Sequence, residues 1–441
     1  MMIPAYVTAV TERLRAAGYD AYLAGGCVRD TLLGKVPHDY DVATNARPDT
    51  VQEVFADHRT ILTGERHGTV TVVSEGENIE ITTYRSDGEY TDHRRPDSVS
   101  FSDSPEDDVS RRDLTINAML LDPATGDMID LFGGKDDLDR GIIRCVGDPD
   151  KRFGEDALRI MRTLRFASVL GFEIESGTAE SVHRNRELLN DIAVERIASE
   201  LAQLLSGKAP FGVLSGFSDV IAVVVPEIAD CIGYDQKSPH HSYDVWTHTC
   251  YAVERSEPVR DVRLALMLHD IEKPSCCYEK DGRRHFPHHA EASAVTAEKI
   301  LRRLRFDNRT VRNVTALVRY HEIDPQAHDI IPDMKRLYGM IGGELFRELF
   351  FVAEGDNRAK GDMPNERLEL LSPLYEKIAA YADGGGCTSL DALAVNGRDI
   401  SSLGYEGKDI SRVLGLLLDF VLHGGSNDRD VLLEKAEGFR Q

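Results

Sequence analysis

The feature that most constrains this chain is a change of period part-way along it. Up to about residue 140, apolar and polar residues alternate in short runs such as Thr69–Val73 and Ile79–Tyr84. Period two over five or six residues is the signature of a half-buried strand. Ala21–Ala24 and Asp41–Ala43 add further short strands, and the segments 4–18 and Val28–Leu33 read as helices beside them. From Phe153 onward the alternation gives way to helical spacing. Ala157–Leu170, Ala193–Leu205, Tyr243–Ser256, Val262–Ile271 and Ala290–Leu304 each repeat apolar residues three and four apart. At 441 residues the chain is too long for one core. The expectation is an α+β multidomain protein, a mixed head followed by an all-α body.

Composition narrows the class. Hydrophobic residues make up 41% and charged residues 29% of the sequence, so it has enough apolar surface to build ordinary cores. The cysteines at 27, 145, 231, 250, 276, 277 and 387 are scattered and odd in number, which fits free thiols in a reducing compartment. The first residues carry no basic segment followed by an apolar run, and no stretch reaches spanning length. A cytoplasmic protein with no membrane partner is expected, and nothing calls for an obligate protein partner. The net charge of −23 repels polyanions at long range but allows a local site. Between Lys299 and Arg319, Lys299, Arg302, Arg303, Arg305, Arg309, Arg312 and Arg319 face a lone acid, Asp307. That run is either a solvated helix face or a local surface for an anion.

The head carries two patterns with chemical content. Gly25-Gly26 falls where a strand passes into a helix, which would let backbone N–H groups approach a phosphate at the positive helix end, with Arg29 close by. Shortly after comes His38-Asp39-Tyr40-Asp41. Residues two apart on a strand share a face, so Asp39 and Asp41 can hold two Mg²⁺ ions roughly 3.5–4 Å apart around one phosphoryl group. Glu80, in the run Ile79-Glu80-Ile81, is a candidate third ligand.

Four ordered motifs carry a resemblance. Ala24-Gly25-Gly26-Cys27-Val28-Arg29-Asp30, then Asp39-Tyr40-Asp41, then Arg111-Arg112-Asp113-Leu114-Thr115-Ile116-Asn117-Ala118-Met119, then Gly154 to Arg162 (GEDALRIMR) resemble the class II tRNA nucleotidyltransferases over roughly residues 20–205. That family includes CCA-adding enzymes, separate CC- and A-adding enzymes, and bacterial poly(A) polymerases. The resemblance implies a polymerase-β-like head, Mg²⁺, CTP and ATP as substrates, and the 3′ end of tRNA as partner. It also implies nucleotide contacts from Gly25, Gly26, Arg29, Arg112, Asp156, Arg159, Arg162 and Arg165.

Asp156 and Arg159 can be read on their own chemistry, as residues three apart on one helix face. A carboxylate accepts from an exocyclic amine and a guanidinium donates to a ring nitrogen. Cytosine and adenine present that pattern, whereas uracil and guanine present the reverse. Such a pair would select C and A without a template. The segment Tyr84–Ser110 is polar, turn-rich and too long for an ordinary connection. It looks like the family's flexible loop, which the resemblance links to the switch from C to A, so addition of C alone is disfavoured.

The body holds a second series: His248, the pair His269-Asp270, His289, His321 and Asp356. Imidazole and carboxylate ligands suit a hydrolytic site for a divalent transition metal such as Ni, Mn or Fe. The order resembles HD-domain phosphohydrolases, which some CCA-adding enzymes carry fused. Glu272 stands where that family has glycine, which puts the local backbone and charge in question. The expected divisions are a nucleotidyltransferase head (palm) at 1–140, a helical nucleotide-selecting and tRNA-binding region at 141–235, an HD domain at 236–360 and a C-terminal helical region at 361–441. The expected function is CCA addition, with a phosphohydrolase activity in the HD half. The alternatives are an A-adding enzyme or poly(A) polymerase and, from another class, an HD phosphohydrolase with a tRNA-binding head.

Overall fold

The computed structural model describes residues 3–64, 68–88, 99–238, 242–361 and 366–440. They form two compact units, 1–226 and 227–441.

The first unit opens with α1 (Ala5–Ala16), β1 (Tyr22–Ala24), α2 (Gly26–Leu32), β2 (Tyr40–Thr44), α3 (Pro48–Val54), β3 (Arg59–Ile61), β4 (Thr69–Ser74) and β5 (Glu77–Thr83). A short hairpin of β6 (Arg85–Asp87) and β7 (Val99–Phe101) follows, then α4 (Pro105–Ser110), β8 (Met119–Leu121), β9 (Met128–Asp130) and α5 (Gly134–Arg140). Seven strands make one mixed sheet in the order β3-β4-β5-β2-β1-β8-β9. Only β2 and β5 run parallel, in the register Asp41 opposite Glu80. The alternation in the sequence explains the sheet: Val70 and Val72 on β4 and Ile79 and Ile81 on β5 are buried, while Glu77, Asn78 and Glu80 are exposed. Val7, Val10 and Leu14 of α1 and Val51 of α3 are also buried, and these two helices pack on β4.

After α5 this unit is helical apart from the small parallel pair Ile142–Ile143 and Glu173–Ile174. Its helices are α6 (Pro149–Glu155), α7 (Leu158–Leu170), α8 (Ser176–Asn185), α9 (Val194–Leu205), α10 (Pro210–Gly216) and α11 (Ser218–Val224), with α7 packed against α9. Much of Tyr84–Ser110 has regular structure in β6, β7 and α4, while residues 89–98 of that segment lie outside the described residues.

The second unit is helical with one hairpin, Tyr278–Lys280 against Arg283–His285. It comprises α12 (Val245–Glu254), α13 (Arg260–Leu268), α14 (His289–Arg303), α15 (Asn308–Tyr320), α16 (Ile330–Ile341), α17 (Gly343–Arg358), α18 (Glu366–Asp383), α19 (Gly397–Ser402), α20 (Lys408–Leu422) and α21 (Arg429–Gly438). Val262, Leu264, Leu266, Met267 and Leu268 of α13 are all buried. At roughly 1.5–3 kcal/mol for each buried side chain of this size, α13 is the anchor of its core. A separate cluster around Val413, Leu417, Val421, Leu432 and Ala436 holds the last helices together. The fold class is therefore as the sequence implies: a polymerase-β-like head with a mixed sheet, followed by a helical body. Among the described residues no helix is long and apolar enough to cross a membrane.

Candidate active site and candidate metal centre

Gly25 caps α2 with φ of 73°, a conformation glycine adopts without strain. A Cβ there would stand 2.9 Å from Arg112 Nη1, so glycine also makes room for that guanidinium. Asp39 immediately precedes β2, Asp41 lies within it, and the strand register sets Glu80 beside Asp41. All three carboxylates line a cavity of about 490 Å³ together with Gly25, Gly26, Arg29, Arg112, Asp156, Arg159, Arg162 and Arg165. Every head residue singled out from the sequence thus meets in one place.

Burial pushes the Asp41 carboxyl up to about 6, helped by the negative charges of Glu80 and Asp39 and opposed by Arg112. Three crowded carboxylates, one of them partly desolvated, are the donor set a hard divalent cation relieves. The residues present therefore fit Mg²⁺.

The arginines around the cavity are fixed by partners that sequence reasoning missed. Arg29 Nη1 donates to Asn117 Oδ1 at 2.8 Å, and Asn117 Nδ2 donates to Asp113 Oδ1 at 3.3 Å. The buried Asp113 takes Arg162 Nε at 2.7 Å. Arg165 pairs with Glu200 at 2.7 Å, and Arg29, Arg162 and Arg165 all stand within 5.5 Å of the Phe166 ring centre. The signal for Asp113 and Asn117 was present in the motif Arg111–Met119, but the role of each residue is visible only once the strands are assembled.

One geometric premise is corrected. Asp156 and Arg159 do not share a helix face, because Asp156 sits at the α6–α7 junction with extended backbone and α7 begins only at Leu158. Asp156 accepts from Leu158 N at 3.1 Å and lies 3.3 Å from Arg196 Nη2. Arg159 is held by Glu155 at 2.8 Å, by the Arg111 carbonyl at 2.8 Å and by the Arg152 carbonyl at 3.2 Å. Both side chains still line the cavity.

In the second unit the six residues of the His/Asp series come together at helix ends. His248 lies in the first turn of α12, whose cap Asp244 accepts from Trp246 N and Thr247 N. His269 and Asp270 directly follow α13, His289 begins α14, and His321 directly follows α15. Asp356 comes from α17, which approaches α12 and α13 closely because residue 355 is glycine: a Cβ there would meet Leu266 Cδ1 at 2.8 Å and the Ala252 carbonyl oxygen at 3.1 Å. The Nε2 atoms converge on the two carboxylates: His248 on Asp356 at 3.0 Å, His269 on Asp270 at 3.1 Å, His289 on Asp270 at 3.2 Å and His321 on Asp270 at 3.8 Å.

All four histidines turn Nδ1 to a backbone carbonyl, those of Ala359, Leu266, Phe286 and Val318. A donated Nδ1–H leaves Nε2 as the lone-pair nitrogen, the arrangement that orients imidazole ligands. Burial lowers His248, and burial with its neighbour His269 pushes His321 down to about 3, so both favour the neutral, metal-binding form. Among the described residues, His269 Nε2 and both Asp270 oxygens lack hydrogen-bond geometry to any partner, while Lys273 Nζ forms an ion pair with Asp270 Oδ2 at 2.6 Å. This donor set fits a divalent transition metal, and subsets of it already lie within 4.8 Å of one another. A cavity of about 420 Å³ adjoins it, lined also by Lys273, Arg284, Lys360 and Arg367.

Glu272 does not disturb this centre. Its carboxylate turns away to accept from Thr296 Oγ1 at 2.5 Å and from Ser275 Oγ. Three of the seven basic residues at 299–319 are paired on the helix surface: Arg302 meets Glu298, Arg303 meets Glu227 and Arg309 meets Glu344. All seven cysteines are free thiols.

Residues 21–144 match the poly A polymerase head domain, and residues 171–229 match the probable RNA and SrmB-binding site of polymerase A. The chain is 50% identical over 210 residues to the CCA-adding enzyme of Ligilactobacillus salivarius, covering 48% of this chain and 51% of that protein. Identity to the CCA-adding enzyme of Limosilactobacillus reuteri is 47% over 213 residues, again 48% of this chain and 51% of the other. The chain spans about half the length of the curated relatives it matches. Among solved structures, the Bacillus stearothermophilus CCA-adding enzyme in complex with CTP superposes with a TM-score of 0.73 at 27% identity, covering 100% of this chain and 98% of that one. The Thermotoga maritima CCA-adding enzyme complexed with tRNA shares the fold, with a TM-score of 0.60 at 18% identity over 99% of this chain and 95% of that one.

Proposed function

We propose that this chain adds C and A nucleotides to the 3′ end of tRNA without a nucleic-acid template. The observation that carries the reading is the single cavity in which Asp39, Asp41 and Glu80 face the glycine turn and the arginines of α7. In this reaction the terminal 3′ oxygen of the RNA bonds to the α-phosphorus of a nucleoside triphosphate, and pyrophosphate leaves. Mg²⁺ held by Asp39 and Asp41, with Glu80 beside them, would supply Lewis-acid activation and charge neutralisation. Gly25 and Gly26 open backbone N–H groups toward the triphosphate, and Arg29, Arg112, Arg162 and Arg165 offset its negative charge. Asp156 and Arg159 read the base edge, accepting cytosine and adenine. The relatives named CCA-adding enzymes, one of them solved with CTP, support the same reading.

The test incubates the purified protein with tRNAs ending before, within or after the CCA sequence, each with one labelled nucleotide. Stepwise incorporation of C, C and then A is expected. Incorporation of A alone, or of a long A tail, would instead identify an A-adding enzyme or a poly(A) polymerase. No incorporation at all would overturn the reading.

For the second unit we propose an HD-type metal centre that hydrolyses phosphate esters. What favours this is the common orientation of four buried imidazoles, each with Nδ1 on a carbonyl and Nε2 toward Asp270 or Asp356. His248, His269, Asp270, His289, His321 and Asp356 would hold a transition metal, which would supply an activated water. A head that needs a free 3′ hydroxyl gains from a neighbour that clears phosphate from it. Metal analysis, with assays on bis-p-nitrophenyl phosphate and 2′,3′-cyclic AMP under Ni²⁺ and Mn²⁺, tests this. Neither bound metal nor turnover would reduce the unit to a scaffold.

A further inference from the structure

The residue that binds the cavity's two ends together is one the motifs leave unassigned. Asp108 lies in the short helix α4 and is 1% exposed. Its two oxygens are shared between two adjacent arginines. Oδ1 accepts from Arg111 Nε at 3.1 Å and Nη2 at 2.5 Å, and Oδ2 accepts from Arg112 Nε at 3.2 Å and Nη2 at 2.8 Å. A buried carboxylate with four charge-assisted bonds is a rigid joint.

Each arginine continues to a different part of the cavity. Arg112 directs its remaining Nη1 to the Asn117 carbonyl at 3.3 Å, against the space that glycine leaves open at residue 25. It is one of the charges acting on Asp41. Arg111 offers its backbone carbonyl to Arg159 Nη2 at 2.8 Å, and Arg159 is itself only 8% exposed. One arm of the joint therefore ends beside the carboxylates and the glycine turn, and the other ends at the residue facing the base. Directly before α4 stands the β6–β7 hairpin, tied to it through Ser102 Oγ donating to Asp107 at 2.5 Å.

We propose that Asp108 is a positioning residue for nucleotide selection: it sets Arg112 against the phosphate-facing turn and, through the Arg111 carbonyl, holds Arg159 in register with it. This rests on the nucleotidyl-transfer reading above. Without the joint, base recognition and phosphate placement lose their common reference, so a wrongly paired base costs less at the reacting phosphorus. A displacement near 1 Å at a reacting centre costs on the order of 10²-fold in rate.

The test compares Asp108→Asn, which keeps the shape and drops the charge, with Asp108→Glu, which keeps the charge. Steady-state kinetics with CTP, ATP, UTP and GTP on a truncated tRNA are read beside thermal melting and active-site titration. Asp108→Asn should raise KM for CTP and ATP and raise the share of UTP and GTP incorporated, and Asp108→Glu should recover part of the preference. Should Asp108→Asn not fold, Asp108→Glu and Arg111→Ala carry the same comparison. A purely structural role would lower the titrated fraction of active enzyme while leaving KM and base preference unchanged, and that result overturns the proposal. Wild-type protein that extends no tRNA end would instead overturn the reading on which it rests, before any variant is compared.

Discussion

Asp41 and Glu80 stand opposite one another on the two parallel strands of an otherwise antiparallel sheet. Like charges on adjacent strands destabilise a sheet unless a cation lies between them. Here Asp39 adds a third charge at the strand's entrance, and all three open into the same cavity. An arrangement that works against the fold, beside the glycine turn at residue 25, fits the cation-assisted transfer proposed above.

Replacing Asp41 with Asn should therefore move activity and stability in opposite directions. Nucleotide incorporation is expected to fall by roughly 10²–10³-fold or more, the scale for removing one strong electrostatic stabiliser. The metal-free protein should melt at a higher temperature, because the repulsion has been relieved. Incorporation rates and melting curves in EDTA read both effects on one preparation, and unchanged turnover would remove Asp41 from the site.

Asp113 should carry a pH-dependent share of the head's stability. Burial alone would raise its carboxyl, but the charge and hydrogen bonds of Arg162 win and hold it well below the usual carboxylate range. A depressed folded pKa stabilises above the unfolded value near 3.9, and that stability is lost as pH falls below it. Asp113→Asn leaves Arg162 without its buried partner; because the Arg162 side chain is one third exposed and water can take up part of its charge, the cost at neutral pH should be about 1–3 kcal/mol. Urea midpoints of the wild type should fall between pH 5 and pH 3 more steeply than those of Asp113→Asn. Parallel profiles would show that the pair contributes nothing.

How far the sequence could be read follows from what each signal depends on. The strand of Asp41 and the helix opening at Gly26 were legible because alternation and glycine placement are local. So was the convergence of Asp39, Asp41 and Arg29, since those residues lie within one supersecondary unit. The parallel register that brings in Glu80 is non-local, although Glu80's place in an alternating run marked it. Asp156 was misplaced relative to Arg159 because helical spacing does not reveal that α6 ends at Glu155 and the chain extends before α7. Asp108, Asn117 and Glu200 carry no periodic signal at all. Their partners lie 3 to 88 residues away in the chain, and the more distant ones are supplied only by the assembled fold. Glu272 shows the opposite error: an acidic residue beside metal ligands in sequence that the turn directs to Thr296.

Base choice should depend on Asp156 more than turnover does. Its carboxylate has one oxygen on Leu158 N and the other toward Arg196, leaving acceptor capacity for an exocyclic amine. Asp156→Ala is expected to let UTP and GTP compete with CTP and ATP, with a smaller loss in the rate for the correct nucleotide. Sites that reject a base do so because their own polar atoms would be left unpaired, and alanine has none to leave. Single-nucleotide incorporation assays with each triphosphate read the preference. A variant that still rejects UTP and GTP would move selection to another residue.

The metal centre proposed for the second unit should stabilise it when the ion is bound. A ligand bound only by the folded state adds about 2.7 kcal/mol when present at about 100 times its Kd. Mn²⁺ or Ni²⁺ should therefore raise the unfolding midpoint of the intact chain, and EDTA should reverse it. Histidine nitrogen favours these ions over Mg²⁺, which should shift this transition little. Asp270→Asn removes the carboxylate that all four histidines approach within 3.8 Å, so it should abolish both the metal-dependent shift and phosphate-ester hydrolysis while nucleotide addition by the head persists. Glu272→Gly should keep the metal-dependent shift, because its carboxylate is already turned to Thr296 and Ser275. Calorimetric titration of wild type, Asp270→Asn and Glu272→Gly with each ion decides the matter. Equal binding by the first two would exclude Asp270 as a ligand, and loss of binding in the third would make Glu272 part of the centre.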